Sequence, residues 1–437
     1  MNSQFNIFRL GEVADIIAGG DKPKVFSEIK SELTSIPVFA NAEGKNGLQG
    51  YTDTPRIIEY AVTIAARGSN VGFVALRKEP YFPIVRLISL IPSREKLDVD
   101  YLFYNLKQNR QSGTGSGQPQ ITVPDISNRT ISLPSLIEQQ KAAKILVDLD
   151  SKIELNNKMN AELEGMAKLI YDYWFVQFDF PISKAQAAAM GKPELEGKPY
   201  KASGGPMVYN TQLKREIPEG WGVFNLGDLG DFKNGVNYDP SNPGEIACPI
   251  INVRNISASS YFLKNEDLDI VYLRESDVKK YSVHEGSIII ARSGIPGATR
   301  LISDFEENTL YCGFAIHFEL EDLNQKLPVF FYLKSIEQLI KNGSGGTILK
   351  NVNQATLNAL QVALPNNEKI IDAFNEIISP QFEKINVIQK EIQKLSELRD
   401  WLLPMLMNGQ VSIKEAEEYA DSYRESMAAE ERGHYGK

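Results

Sequence analysis

At 437 residues, with 42% hydrophobic and 24% charged positions, the chain is too long for one ordinary core and has the balance of a soluble globular protein of two to three domains. A net charge of -9 weighs against a free-standing, non-specific nucleic-acid binder, although a local basic surface decides binding. Two cysteines, Cys248 and Cys312, exclude a disulfide framework and fit a reducing cytosol. Three histidines (His284, His317, His434) leave few ligands for structural zinc, and no apolar run approaches the roughly 20 residues of a membrane span.

In chain order, residues 1–133 carry short strand-like runs such as "YAVTIAARG" and "FPIVRLISLIP", broken by Gly, Asn and Pro, with a helical stretch near 101–110. Residues 134–178 read as helical. A shorter helix, "SLIEQQKAAKILVDL", leads to Ser151, where Ser-x-x-Glu154 forms a capping box for a new one. Along it Met159, Leu163, Met166, Ile170 and Tyr173 step by four, three, four and three. Residues 179–217, rich in Gly, Pro, Lys and Ala, read as a linker. Residues 218–364 return to strand-like runs ("GSIIIARSG", "LYCGFAIHFEL") with a helical stretch near 329–341. Residues 365–413 are helical again, with Ser379-Pro380 as a start signal and an apolar seam of Ile385, Ile388, Ile392, Leu395 and Leu402. Residues 414–437 form an acidic tail, read as a solvated extension with a partner contact as the alternative.

The order strand-rich, helical, strand-rich, helical reflects duplication. "FRLGEVADIIAGG" (8–20) matches "FNLGDLGDFKNGV" (224–236), and "IAARGSNVG" returns as "IIARSGIPG", with Arg67 and Arg292 in register. "ISLPSLIEQQKAAKIL" likewise matches "VALPNNEKIIDAFNEI". So long a period means duplicated domains, not a solenoid. The seams have the 3.5-residue spacing of helices packing lengthwise, and about 25 residues make a rod of roughly 35–40 Å. Each could be a local hairpin buried on its own domain; the duplication favours a pair of rods holding two domains apart.

No common catalytic constellation is present. The glycine clusters lack the G-x-x-x-x-G-K-[ST] spacing, and no dinucleotide fingerprint, G-x-S-x-G elbow or H-E-x-x-H occurs. Pro124-Asp125 with Glu138 and Lys141 loosely evokes a nuclease core, but Glu138 and Lys141 fall on an amphipathic helix.

What remains is a set of amides and cations in or beside Gly-rich turns. In the first repeat these are Lys45, Asn46, Arg67, Asn70, Gln118 and Gln120. In the second they are Lys233, Asn234, Asn237, Arg254, Asn255, Arg292, Arg300 and Lys350. Arg pairs bidentately with guanine and Asn or Gln with adenine, while Lys and free backbone amides suit phosphates. Each alone is more often a turn or surface residue, and an arginine bracing a strand-end turn is an alternative for Arg67 and Arg292. Their recurrence at matching strand ends makes the ensemble informative.

The stretches "LPSLIEQQKAAKILVDLDSKIELNNKMNAELEGMAKLIYDYWFVQFDF", "GKPYKASGGPMVYNTQLKREIPEGW" and "LSELRDWLLPMLMNGQVSI" resemble the specificity subunits of type I restriction–modification systems. The resemblance implies an α+β chain. It has two mixed α/β target-recognition domains, separated by two long helical regions packed as an antiparallel, coiled-coil-like pair. It implies that each domain reads half of a bipartite asymmetric DNA target, while the helices set the spacer and dock two modification (methyltransferase) subunits. Two restriction subunits join a larger complex. S-adenosylmethionine, ATP and Mg are expected in the partners, with no catalytic residue, cofactor or metal on this chain, and a cytoplasmic location. The competing readings are a helical scaffold that no longer reads DNA and a stand-alone DNA-modifying enzyme with a cryptic site.

Overall fold

The computed structural model describes residues 5–113, 120–241, 243–265, 267–284, 286–303, 305–342 and 352–423. It divides into two compact units, Met1–Asn157 with Lys390–Lys437, and Lys158–Gln389. No described helix is long and apolar enough to cross a membrane.

In the first unit the strands are β1 (Asn6–Arg9), β2 (Ala14–Ala18), β3 (Ile36–Phe39), β4 (Leu48–Thr52), β5 (Ala61–Ile64), β6 (Val74–Arg77), β7 (Phe82–Pro83), β8 (Ile88–Pro92) and β9 (Thr130–Leu133). They form sheets ordered β2-β8-β5-β6, β4-β3-β7 and β1-β9. In the second, after β10 (Met207–Asn210) and β11 (Arg215–Pro218), come β12 (Trp221–Asn225), β13 (Gly230–Asn234), β14 (Ile246–Ile251) and β15 (Asp269–Leu273). β16 (Ile288–Ala291), β17 (Thr299–Leu301), β18 (Leu310–Tyr311), β19 (Ala315–Leu320) and β20 (Gln361–Pro365) follow. Their order, β13-β19-β16-β17, β15-β14-β18 and β12-β20, repeats that of the first unit strand for strand. The repeat extends to the parallel pairs, β3 with β7 and β14 with β18, in otherwise antiparallel sheets. β5 (Ala-Val-Thr-Ile) and β16 (Ile-Ile-Ile-Ala) are fully buried central strands, with the Thr63 hydroxyl of β5 satisfied by the Ala75 carbonyl.

The principal helices are α1 (Val99–Gln108), α2 (Leu136–Tyr171), α3 (Lys326–Lys341) and α4 (Glu368–Met407). Each long helix contributes to both units. In the first, Leu102 and Leu106 of α1 pack with Ala142, Leu146 and Leu149 of α2 and with Leu395, Leu402 and Leu406 of α4. There α2 and α4 run antiparallel: Arg399 Nη1 donates to Asp150 Oδ1 at 2.9 Å, and Asn156 Nδ2 to Glu391 Oε2 at 2.8 Å. In the second unit, Phe330 and Phe331 of α3 pack with Tyr171, Trp174 and Phe175 and with Phe374, Ile378 and Ile385 of α4.

Four expectations are corrected. The helices do not restart at Ser151 or Ser379-Pro380: α2 runs unbroken for 36 residues and α4 for 40, or about 54 and 60 Å. The working capping box is Ser135, whose hydroxyl donates to Glu138 Oε2 at 2.7 Å. In α4, burial of Phe374, Ile378, Phe382 and Ile385 around Pro380 outweighs the ~3 kcal/mol that an interior proline costs. The first apolar seam is displaced: Met166 and Tyr173 are 55% and 46% exposed, while Ala167, Tyr171 and Trp174 are buried. A wider turn over Asp172–Val176, closed by Gln177 N–H to the Asp172 carbonyl, rotates the register there.

The segment 179–217 is no bare linker. It holds the short helix Lys184–Ala189 and the β10–β11 hairpin, and it buries Phe180, Ile182 and Tyr200. Phe180 stacks on Tyr200 at 4.6 Å and on Trp221 at 5.6 Å. The start of the acidic tail is also folded. Residues 413–423 are helical, capped by Ser412, whose N–H donates to Glu415 Oε2 at 2.9 Å, with Ala416 and Ala420 buried in the first unit's core.

Candidate nucleic-acid interface

Each strand-rich domain gathers loops at the ends of its central strands. In the first, β5 runs into Ala65-Ala66-Arg67, and the Ala65 N–H and carbonyl bond Phe73 and Gly72, both at 2.9 Å. Gly72 has φ +79°, and a Cβ there would lie 2.1 Å from the Gln111 carbonyl oxygen, so glycine is obligatory. Arg67 is exposed and forms a lone antiparallel bridge with exposed Gln120, while Asn70 is half-buried. Lys45 and Asn46 are exposed and left-handed, with φ of 51° and 52°.

Two side chains hold these loops, half-buried Asn41 and buried Arg77. Asn41 Oδ1 accepts from Ala66 N–H at 2.9 Å, and its Nδ2 donates to the Val85 carbonyl. Arg77, 5% exposed, donates to the Asn46 carbonyl at 2.7 Å and to Thr63 Oγ1 at 3.1 Å, with its guanidinium 3.7 Å from the Phe39 ring centroid. Burial lowers Arg77 to about 10, against the pull of Tyr81 and Glu79, so it stays charged at neutral pH. Neither Asn41 nor Arg77 stands out in the sequence.

In the second domain β16 runs into Arg292. Its N–H donates to the Phe314 carbonyl at 2.9 Å and its Nη1 to the Gly313 carbonyl at 3.2 Å. Exposed Asn237 lies over Gly313, where a Cβ would sit 1.9 Å from its Oδ1. Asn237 and Arg292 are thus brought together at one turn. Lys233 and Asn234 are exposed on β13, with Lys233 ion-paired to Glu319. Arg254 is exposed but engaged, donating at 2.7 Å both to the Asp267 carbonyl and to Asp269 Oδ1.

Two candidates are corrected. Asn255 is 7% exposed, and its Oδ1 caps a short helix by accepting from Asn252 N–H at 2.9 Å. Arg300 is 3% exposed. Its Nε and Nη1 donate to Glu337 Oε2 at 3.0 Å and to the carbonyls of Ile256, Ser259 and Thr299, so it is a buried fastening and not a surface group. Burial pushes Glu337 up, but Lys334 and Arg300 outweigh it and hold the carboxyl at about 2. Gln118 and Lys350 lie outside the described residues.

Of the residues expected between helices or at a partner, Met159 and Ile392 are half-buried, and Leu163 and Ile170 are half-buried against the second unit's core. Ile385, Ile388, Leu395 and Leu402 are buried. Glu138 and Asp125 are capping residues on separate turns and share no site. Among the described residues no group of three or more His, Cys, Asp or Glu is placed to hold a metal ion.

A duplicated α+β architecture, with loop clusters that carry cations and amides at the ends of equivalent strands, defines a class of two-domain recognition protein. A family model described as Type I restriction modification DNA specificity domain matches residues 2–165 and 218–394, and the chain belongs to that family. It is 26% identical to the type I restriction enzyme MjaIX specificity subunit of Methanocaldococcus jannaschii, over 82% of this chain and 80% of that one. It is 27% identical to the HindI specificity subunit of Haemophilus influenzae, over 71% and 74%. The crystal structure of a type I restriction–modification S subunit from M. genitalium shares the fold, with a TM-score of 0.59, 16% identity, and 93% and 96% of the two chains covered.

Proposed function

We propose that this chain is the DNA-specificity subunit of a type I restriction–modification complex, each strand-rich domain reading one half of a bipartite, asymmetric target. The observation that carries this is the strand-for-strand repeat, in which Arg67 and Arg292 lie in the loops that follow the equivalent strands β5 and β16. Two similar domains with different surface chemistry suit two unlike half-sites. α2 and α4 set the spacer and, through the exposed Met166 and Tyr173 among others, dock two modification subunits. Those subunits bind S-adenosylmethionine and methylate adenine. Two restriction subunits using ATP and Mg complete the larger assembly in the cytoplasm. The partners supply much of the phosphate neutralisation that a chain of net charge -9 lacks.

The test is to map methylated adenines genome-wide with and without the chain, then to exchange residues 1–130 for those of a relative. A bipartite motif that vanishes without the chain and changes in only one half after the exchange supports the reading. An unchanged motif points to a scaffold, and methylation by the purified chain alone to an enzyme.

A further inference from the structure

The turn after β7 and the turn after β18 are held by matching backbone bonds, to which the first adds Arg86 N–H to the Gly19 carbonyl at 3.1 Å. In the first domain Ile84 N–H donates to the Phe39 carbonyl at 2.9 Å, Val85 N–H to Gly20 at 2.8 Å, and Leu87 N–H to Ile84 at 3.0 Å, while Gly19 N–H donates to Leu87 at 2.8 Å. In the second, Cys312 donates to Ile251 at 3.0 Å, Gly313 to Val236 at 2.8 Å, and Ala315 to Cys312 at 2.8 Å, while Gly235 donates to Ala315 at 3.1 Å. The isolated parallel bridges Gly20↔Ile84 and Val236↔Cys312 complete the match. Bond by bond, position 86 therefore corresponds to position 314.

What the frame presents differs. Arg86 is exposed, and no hydrogen bond or ion pair of its side chain is seen among the described residues. Phe314 is 63% exposed, a large apolar side chain held out from a turn that could have carried a polar one. The tip also differs in backbone: Val85 and Arg86 are left-handed, with φ of 53° and 59°, whereas Gly313 and Phe314 are not. Two consecutive left-handed non-glycine residues, the first β-branched, are a costly conformation that persists only where the surroundings impose it, as Asn41 does here at the Val85 carbonyl. In both domains the turn lies beside the Arg67 or Arg292 loop, through Asn41 in one and by direct bonds in the other.

We propose that Arg86 and Phe314 are the equivalent specificity-determining positions of the two domains, Arg86 reading a guanine edge and Phe314 the methyl group of a thymine. A guanidinium free of protein partners can span guanine O6 and N7, and an exposed apolar ring matches the one apolar group in the major groove. This rests on the DNA-specificity reading above.

The test uses the full chain co-expressed with its modification subunits and reads the methylated motif genome-wide for wild type, Arg86→Ala, Arg86→Lys, Phe314→Ala and Phe314→Leu. Arg86→Ala should relax one base preference in a single half-site by about 5- to 150-fold, with the other half unchanged. Arg86→Lys should fall between it and wild type. Phe314→Ala should relax only the opposite half, and Phe314→Leu, which keeps apolar bulk, should retain most of the preference. Motifs identical to wild type, or weakening spread evenly over all sequences as a phosphate contact gives, would overturn the proposal. If the wild-type chain itself imposed no motif, the DNA-specificity reading would fail instead, so the two failures are distinct.

Discussion

Replacing Arg300 by Met separates a structural arginine from a DNA-reading one. The side chains of Arg300 and Glu337 are 4% and 3% exposed, and losing one partner of a buried ion pair costs roughly 3–5 kcal/mol. Glu337 keeps Lys334 at 2.7 Å and Lys341 at 2.6 Å, so the loss falls at the lower end, about 3 kcal/mol. For a unit of this size each 1 kcal/mol moves the midpoint by about 2–4 °C, giving a drop of about 6–12 °C in calorimetry of the full chain. Arg300→Met with Glu337→Gln should recover none of it, because it also strips Lys334, whose side chain is 17% exposed, of its carboxylate partner. Arg254→Ala removes a pair 57% and 49% exposed and should shift the midpoint by under about 2 °C. An Arg300→Met chain that melted like wild type yet lost one half of its methylation motif would refute this assignment and return Arg300 to the DNA surface.

His317 is 4% exposed, and burial, then the nearby His284, lower it to about 4 from 6.5. The unfolded chain therefore takes up its proton first as pH falls. Stability is full above about pH 6.5 and declines toward pH 4, by up to about 3 kcal/mol, and urea midpoints for wild type and His317→Phe should diverge across that window. Cys248 and Cys312 are 0% and 5% exposed with thiols pushed up by burial, so alkylation at pH 8 should be slow in the folded chain and rapid in urea, read by mass. Ala420→Asp places a carboxylate where the side chain is 4% exposed; hydrogen exchange over 413–423 should rise sharply while β5 stays protected.

The duplication was legible because apolar strand runs and the Leu-Pro steps into each helix survive in both copies. The seam of α4 was legible because Ile385, Ile388, Leu395 and Leu402 lie on an unbroken helix and are buried along it. The seam of α2 was not: on the regular helix Ala167 and Tyr171 face the core in place of Met166, and Asp172–Val176 then widens into a turn packed by aromatic residues. Arg292 and Arg300 look alike in sequence, each flanking an apolar run; only the fold brings Glu337 of α3 to Arg300. Arg86 and Phe314 escaped notice for a related reason. The register that aligns Arg67 with Arg292 is 225 positions (292 minus 67), whereas the backbone bonds align 86 with 314 at 228, and intervening loop differences hide the equivalence.

The two repeats use arginine in two physically distinct ways. On the outer strands of the four-stranded sheets, Arg77 of β6 and Arg300 of β17 are buried donors that fasten loops from within. Arg300 does so with a carboxylate beside it and Arg77 with only carbonyl, hydroxyl and ring partners. Arg77 has no buried anion in contact, so its desolvation is offset by the Phe39 face, the charge of nearby Glu79 and these neutral acceptors, one of which is the Asn46 carbonyl in a left-handed turn. The strain of that turn and the burial of that charge are therefore coupled: either would relax if the other were released. An evolving domain can vary its outward-facing side chains while such inner fastenings persist, and the shared frame that carries Arg86 in one copy and Phe314 in the other has that form.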